Sequence, residues 1–483
     1  ELQILWKFAD FPPFLASMRR FMRAHELPRH LRATGCFHST DISAEVAQRY
    51  RSASESQRAW AETPLSHRKA VVTRFGEILK SKCADLAEIL TKDMGKPLAA
   101  AKGEISATPG RIKYFVEHVE KVTRDEVVRK SDKREERLVW EPLGVVACIS
   151  AWNYPYFVGS NVYVPALLTG NSVLYKPSEH SLESGKRMEE TLLEAGLPQG
   201  VFQCVAGGPS AGEALLSQPI DGLFFTGSVK TGMAIKRALV HRNIPVQLEL
   251  GGKDAAYVMP DLKQSDGNLA YIHNAAESLG DGAMYNTGQG CCSIERIYVH
   301  EDVYEPFVDK LVDVVSKFRV GNPMQEGVQL GPLCLSTAPD FLERQIADAV
   351  AGGATVLCGG SKMDGNFFQP TVLVNVDQGM SVMQDESFGP IVCVSRVSSD
   401  DAAIEMMNDS QYGLTAAVYG MDRIRAERIL EKVQTGTAYF NCCDWVSPYL
   451  PWTGRQNSGI GGTCGESGIR AFVRPKAYHF RSV

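Results

Sequence analysis

Between Pro142 and Tyr175 the chain carries no Asp, Glu, Lys or Arg. An uncharged, apolar run of that length has two physical homes, a bilayer or a protein interior. The bilayer is excluded by Asn153, Pro155, Gly159, Asn161, Pro165 and Gly170, which punctuate the run too often for a continuous span. What remains is buried strand, turn, helix and strand: GVVACIS, a helix over Tyr154–Thr169 closed by Gly170, then NSVLYK. Strands buried on both faces and joined by helices belong to parallel sheets.

The same alternation continues. LESGKRMEETLLEA reads as a helix closed by Gly196, VFQCVAG as a strand, SAGEALLSQ as a helix, DGLFFTG as a strand, SVKTGMAIKRALV as a helix and VQLEL as a strand. Five strands with four crossovers imply a mostly parallel, doubly wound sheet. After Gly251–Gly252 a second series begins, with DAAYVM, RIYVH, FGPIVCVSRV, TAAVY and TAYF as its strands. The fold class is therefore α/β with two such domains. Residues 45–122 read as helices, with Pro64 at a start and Gly95–Lys96–Pro97 at a stop. Two pieces fit neither domain. Residues 124–142 suit an exposed strand or hairpin, and the tail VRPKAYHFRSV is strand-like with no helix to cover it.

A chain of 483 residues, 44% hydrophobic and 22% charged, with a net charge of −5, has the balance of a soluble globular protein. Nothing in that balance calls for nucleic acid or an anionic membrane as partner. The 12 cysteines are scattered, mostly in apolar runs, with neither CxxC nor a zinc-like spacing. They predict a reducing intracellular compartment and no metal. The first forty residues differ, with Arg19, Arg20, Arg23, Arg29 and Arg32 among few acids. Two readings stand: part of an organellar transit segment, or a surface helix with a loop or a truncated or mispredicted terminus. The first makes the compartment the mitochondrial matrix, the second the cytoplasm.

Four stretches carry candidate chemistry. In FFTGSVKTG a strand runs into Gly227 and the N-cap candidate Ser228, so free helix N–H groups can face an anion such as pyrophosphate. In LYKPSEHS, Lys176 and Glu179 lie just past a buried strand, where a carboxylate can accept from ribose hydroxyls or simply pair with the lysine. In VQLELGGK, Glu249 ends an apolar strand, and either a general base of raised pKa or a buried salt bridge to Lys253 or another cation explains it. In NTGQGCCSIER, Cys291 and Cys292 follow a glycine-rich, polar turn, as reactive thiols or as half-buried structural ones.

Taken together, AWNYP, LYKPSE, FTGSVKTG, LELGGKD, NTGQGCC, ESFGPIV and LPWTGRQNSGIG resemble, in order, the motifs of the NAD(P)-dependent aldehyde dehydrogenase superfamily over about residues 45–480. The resemblance implies that Cys291 is the nucleophile and that Cys292 is turned away. Asn153 and the Cys291 N–H would hold the oxyanion, and Glu249 would activate the water that releases the acid. Lys176 and Glu179 would hold the adenosine ribose, Gly227, Ser228 and Trp152 would line the cofactor cleft, and Glu386 and Phe388 would meet the nicotinamide riboside. The cofactor expected is NAD, with NADP admissible through Lys176. The substrate is a small aldehyde, and Trp445, Tyr449, Tyr156 and Phe157 suggest an aromatic-lined tunnel. No arginine is placed by the sequence to read a carboxylate.

The resemblance also sets domain expectations. Residues 1–40 form an atypical extension, 41–123 and 143–250 the cofactor domain, 251–456 the catalytic domain, and 124–142 with 457–483 an oligomerisation element of a homodimer or homotetramer. Three departures from the pattern stand out: Gly290 before the nucleophile, implying a looser loop; a long interval between Glu249 and Cys291, with extra residues in KQSDGNLAYIHN; and the first forty residues. They leave one alternative, a catalytically impaired relative serving as a binding or structural protein.

Overall fold

The computed structural model describes residues 42–482, so the basic segment of the first forty residues lies outside the described residues. The N-terminal helical region consists of Ile42–Glu62, Leu65–Ser81, Cys83–Met94 and Leu98–Thr123. Pro64 is the N-cap of the second helix, where a missing N–H costs nothing. Gly95 closes the third at φ +84, a left-handed cap that a side chain would also drive into Pro332. These helices bury Trp60, Phe75 and Phe115 against the helix Pro155–Leu168.

That helix follows the central strand of a six-stranded sheet. Its order is Gly459–Ile460, Val246–Glu249, Gly222–Thr226, Val145–Ile149, Ser172–Lys176, Phe202–Cys204. The last five are the expected strands, all parallel. Chain direction across the sheet reverses at Val145–Ile149, so a crevice opens between the carboxyl ends of that strand and Gly222–Thr226.

The second sheet has seven strands, in the order Thr355–Cys358, Thr371–Val374, Ile391–Val397, Ile294–His300, Asp254–Val258, Thr415–Tyr419, Thr437–Phe440. Five were expected. Thr355–Cys358 and Thr371–Val374 were not, and they form the antiparallel edge. Each is four residues long, too short for a period to register. The residues flagged as extra lie in the loop 263–269 and the first turns of the helix Ala270–Met284, which leads to the cysteine turn.

The third sheet joins Glu126–Ser131, Arg134–Pro142 and Val473–Arg481 in antiparallel register. The expected grouping of all of 457–483 with 124–142 is corrected here. Residues 459–460 instead pair with Val246–Glu249, Gly459 lying opposite Glu249. Their amides complete an edge that the parallel strands leave open. That pairing brings the segment 458–464 beside Glu249.

Candidate active site

The helix Ala270–Met284 ends in a turn where Asn286 (φ 53), Thr287 (φ 60) and Gly288 (φ 69) are all left-handed. Two of the three carry side chains, a conformation that costs roughly 1–2 kcal/mol per residue. Side-chain bonds hold it. Thr287 Oγ1 accepts from Gly331 N at 3.1 Å, and Gln289 Oε1 accepts from Cys334 N at 2.9 Å. Asn286 Nδ2 donates to Gln289 O at 3.2 Å, and Asn153 Nδ2 donates to the same carbonyl at 3.0 Å. Asn153 follows the central strand of the first sheet, so this bond ties its amide to the cysteine turn. One N–H of that amide remains for a ligand.

Gly290 does not loosen the turn as expected. It is buried, a Cβ there would come within 2.6 Å of Ser293 Oγ, and Ser293 N donates to Gly290 O at 3.2 Å. The glycine makes room for a closed turn.

The two thiols differ in burial. Cys291 is half-buried, whereas Cys292 is buried and donates to Asp444 Oδ1 at 2.9 Å. The adjacent Cys291 thiol, burial and the Asp444 carboxyl all push the Cys292 thiol well above its ordinary pKa. Cys292 is therefore held protonated, its thiol engaged by Asp444 and beside the Cys291 thiol. Asp444 is itself pushed up to about 7 by burial.

Glu249 is buried at the end of its strand. Gln247 Nε2 and Thr463 Oγ1 each donate to its Oε1 at 3.0 Å. Burial pushes its pKa up to about 7 against hydrogen bonds from Thr463, Gln247 and Trp452. The salt-bridge alternative fails because Lys253 pairs with buried Glu295 instead. Lys253 Nζ also donates to Ser387 Oγ at 3.0 Å, while Glu295 accepts from Ser387 N at 2.9 Å and Phe388 N at 3.0 Å. This network fixes the segment of Glu386 and Phe388, with Phe388 at φ 52. Glu386 accepts from Gly252 N at 2.9 Å, and burial, with the Glu295 charge, pushes it up to about 8.

The other residues expected at a nucleotide lie at or past the carboxyl ends of strands of the first sheet. Ser228 caps the helix Val229–Ala238, accepting from Thr231 N at 3.3 Å, which leaves other first-turn N–H groups for an anion. Gly227 is required by the turn, since a Cβ would come within 2.6 Å of the Phe225 ring. Lys176 is buried and lies 3.8 Å from the half-exposed Glu179. Trp152 meets Phe388 edge-to-face, centroids 5.5 Å apart. Ser150 Oγ, just past the central strand, is buried with no protein partner. An anion-ready helix start, a lysine–glutamate pair for a ribose, an aromatic pair and an orphaned hydroxyl fit a dinucleotide.

The tunnel expectation needs one correction. Tyr156 is fully buried in the core, because the first turn of its helix points it inward, where its N–H donates to Glu104. Phe157 is half-buried, and Trp445 and Tyr449 are exposed. Sequence reasoning missed Gln247, Thr463, Asp444 and Glu295. Thr463 lies 214 residues from Glu249 and Asp444 152 from Cys292, so no local pattern could have joined them. Gln247 is two residues before Glu249, and its alternation onto the same strand face was the available signal.

The model of the aldehyde dehydrogenase family matches residues 34–478. A chloroplastic betaine aldehyde dehydrogenase of Beta vulgaris is 32% identical over 448 residues, 91% of this chain and 88% of that protein. A succinate-semialdehyde dehydrogenase [NADP(+)] of Deinococcus radiodurans is 32% identical over 437 residues, 90% of each. Among solved structures, an NADP-dependent enzyme of E. coli superimposes with a TM-score of 0.87 at 30% identity, covering 91% of each chain. Lactaldehyde dehydrogenase from Escherichia coli gives 0.86 at 29%, covering 91% of this chain and 92% of that one.

Proposed function

This chain belongs to the aldehyde dehydrogenase family and oxidises aldehydes with a nicotinamide cofactor, and we propose that Cys291, Asn153 and Glu249 carry that reaction. The Cys291 thiolate attacks the aldehyde carbon, a C–S bond forms, and the carbonyl electron pair moves to oxygen. Asn153 Nδ2 and the Cys291 N–H hold that oxyanion. When bound, the cofactor supplies the two-electron acceptor for the thiohemiacetal. Glu249 then takes a proton from water, the water oxygen attacks the thioester, and Cys291 leaves as thiolate with release of the acid. One observation carries the assignment: Glu249 is buried with no cation beside it, at a pKa of about 7, where a carboxyl can both accept and return a proton at neutral pH.

The test is a pair of variants. Cys291→Ala abolishes oxidation, and Cys292→Ala retains most of it, read as NADH absorbance with an aldehyde panel. Equal loss in both would reassign the nucleophile.

Residues 41–123 and 143–250 serve as the cofactor domain and 251–456 as the catalytic domain in this reading, with Lys176, Glu179, Trp152, Gly227, Ser228, Glu386 and Phe388 on the nucleotide. Glu179 repels a 2′-phosphate, so NAD is preferred to NADP, and a kcat/KM ratio favouring NADP would overturn this. The relatives are named for betaine aldehyde and succinate semialdehyde, so their names do not choose between cationic and anionic substrates.

Assembly into a homodimer or homotetramer is supported by the strand Glu126–Ser131. It is exposed throughout, with Val127 and Val128 at 50% and 63% exposure and one side of its backbone unpaired. A sedimenting monomer would remove that reading. The eleven described cysteines are all free, which supports a reducing compartment, and no described helix is long and apolar enough to cross a membrane.

A further inference from the structure

Five basic side chains are buried among the described residues, and one of them, Lys176, lies 3.8 Å from Glu179. Lys96 and Lys253 each face a carboxylate, Glu104 and Glu295. Arg296 has none but is saturated, donating to the carbonyls of Lys253, Met406, Met407 and Asp409 and to Tyr298 Oη. Arg111 is different. It is 7% exposed and has no ion pair among the described residues, and its partners are Asn161 Oδ1 (2.9 Å), Val446 O (2.9 Å) and the Cys464 thiol (3.4 Å). Its Nε is buried with no hydrogen-bond partner at all. A guanidinium has five N–H donors and no means of discharging, so an interior site without a counter-charge is costly unless something else supplies it.

The place of Arg111 says what that is. Arg111, Tyr114 and His118 share one face of the helix Leu98–Thr123. Tyr114 meets Tyr449 edge-on at 4.7 Å, so this face lies against the loop 444–450, whose Trp445 is 69% exposed. The guanidinium sits over the half-buried Phe157 ring at 4.8 Å, four residues from Asn153. On its other side is Cys464, the neighbour of Thr463, which bonds Glu249. Arg111 thus stands between the open aromatic rim and the catalytic groups. The acid of that loop, Asp444, is occupied by the Cys292 thiol.

We propose that Arg111 recognises an anionic end on the substrate, so that the preferred aldehydes are ω-oxo carboxylates. This rests on the reading that Cys291 oxidises aldehydes. The carboxylate supplies the missing counter-charge and takes the free Nε–H, and a planar guanidinium matches it in a forked contact.

The experiment compares short ω-oxo carboxylates with their methyl esters, and with a trimethylammonium aldehyde, in the wild type, Arg111→Lys and Arg111→Met. The wild type favours each acid over its ester by on the order of 10- to 100-fold in kcat/KM, chiefly through KM. Arg111→Met lowers that acid-to-ester ratio at least about tenfold, and Arg111→Lys lowers it less. Glutarate, a probe that needs no turnover, raises the Tm of the wild type more than that of Arg111→Met. Should Arg111→Met fail to fold, the wild-type ratio and the Arg111→Lys variant decide. No acid preference in the wild type, or equal losses on acid and ester in the variants, overturns the proposal. Folded wild-type protein that oxidises no aldehyde in the panel would strike instead at the Cys291 reading.

Discussion

Glu249 and Glu295 are both buried, and both belong to the neighbourhood of the turn Gly251–Gly252–Lys253. Glu295 takes the lysine of that turn and two backbone N–H groups of the 386–388 segment. Glu249 takes neutral donors, Gln247 and Thr463 among them, and no cation among the described residues. With a cation beside it, a buried carboxylate becomes a fixed strut. Without one, burial lifts its pKa toward neutrality and leaves it able to exchange a proton. The difference lies in where one ammonium points.

The hardest test of this contrast is Glu249→Gln. Steady-state turnover should fall about 10²- to 10⁴-fold while a pre-steady-state burst of NADH persists, since only release of the acid needs the base. Loss of the burst would mean that Glu249 also activates Cys291. Next comes Glu295→Gln, which strands Lys253 in the interior. Denaturant unfolding should show a loss of about 3–5 kcal/mol, with a raised KM for NAD as Ser387 and Phe388 lose their acceptor. An unchanged midpoint would make the strut dispensable.

A pH effect follows from the Glu249 value of about 7, against an ordinary 4.5. Between those values the folded protein keeps a proton that the unfolded chain has released, so this group's contribution to stability falls as pH rises from about 4.5 to 7. Glu249→Gln should therefore gain up to about 3 kcal/mol on the wild type at pH 8 relative to pH 4. Release of the acid should rise with pH through about 7 in the wild type. The smallest effect expected is in the double variant Glu249→Gln/Glu295→Gln, whose unfolding free energy should equal the sum of the single changes within about 0.5 kcal/mol. A larger coupling would show that the two carboxyls share one environment.

The sequence was most legible where one local pattern decides. The uncharged run from Pro142 and the closing glycines Gly170 and Gly196 place the strands of the first sheet, because burial on both faces and left-handed caps each leave a mark within a few residues. The motif residues Asn153, Glu249 and Cys291 were legible through resemblance. Glu249's surroundings were not, because the choice between base and salt bridge depends on Glu295 and Thr463, which only the fold brings near. Tyr156 was misplaced because adjacent aromatics on a helix start point to different sides, and the sequence does not say which side is the tunnel. Arg111 had no signal of its own, since its environment is made by Phe157, Val446 and Cys464 from three distant segments.

The left-handed pair Asn286–Thr287 carries a consequence for how this protein can change over generations. Glycine at either position would relieve backbone strain, and a screen for heat resistance would reward it. Yet Thr287 grips Gly331 and Asn286 grips the Gln289 carbonyl that also receives Asn153. Each relaxing substitution removes a tether on the turn that carries Cys291, the proposed nucleophile. Selection for thermal endurance and selection for turnover thus pull these two positions in opposite directions.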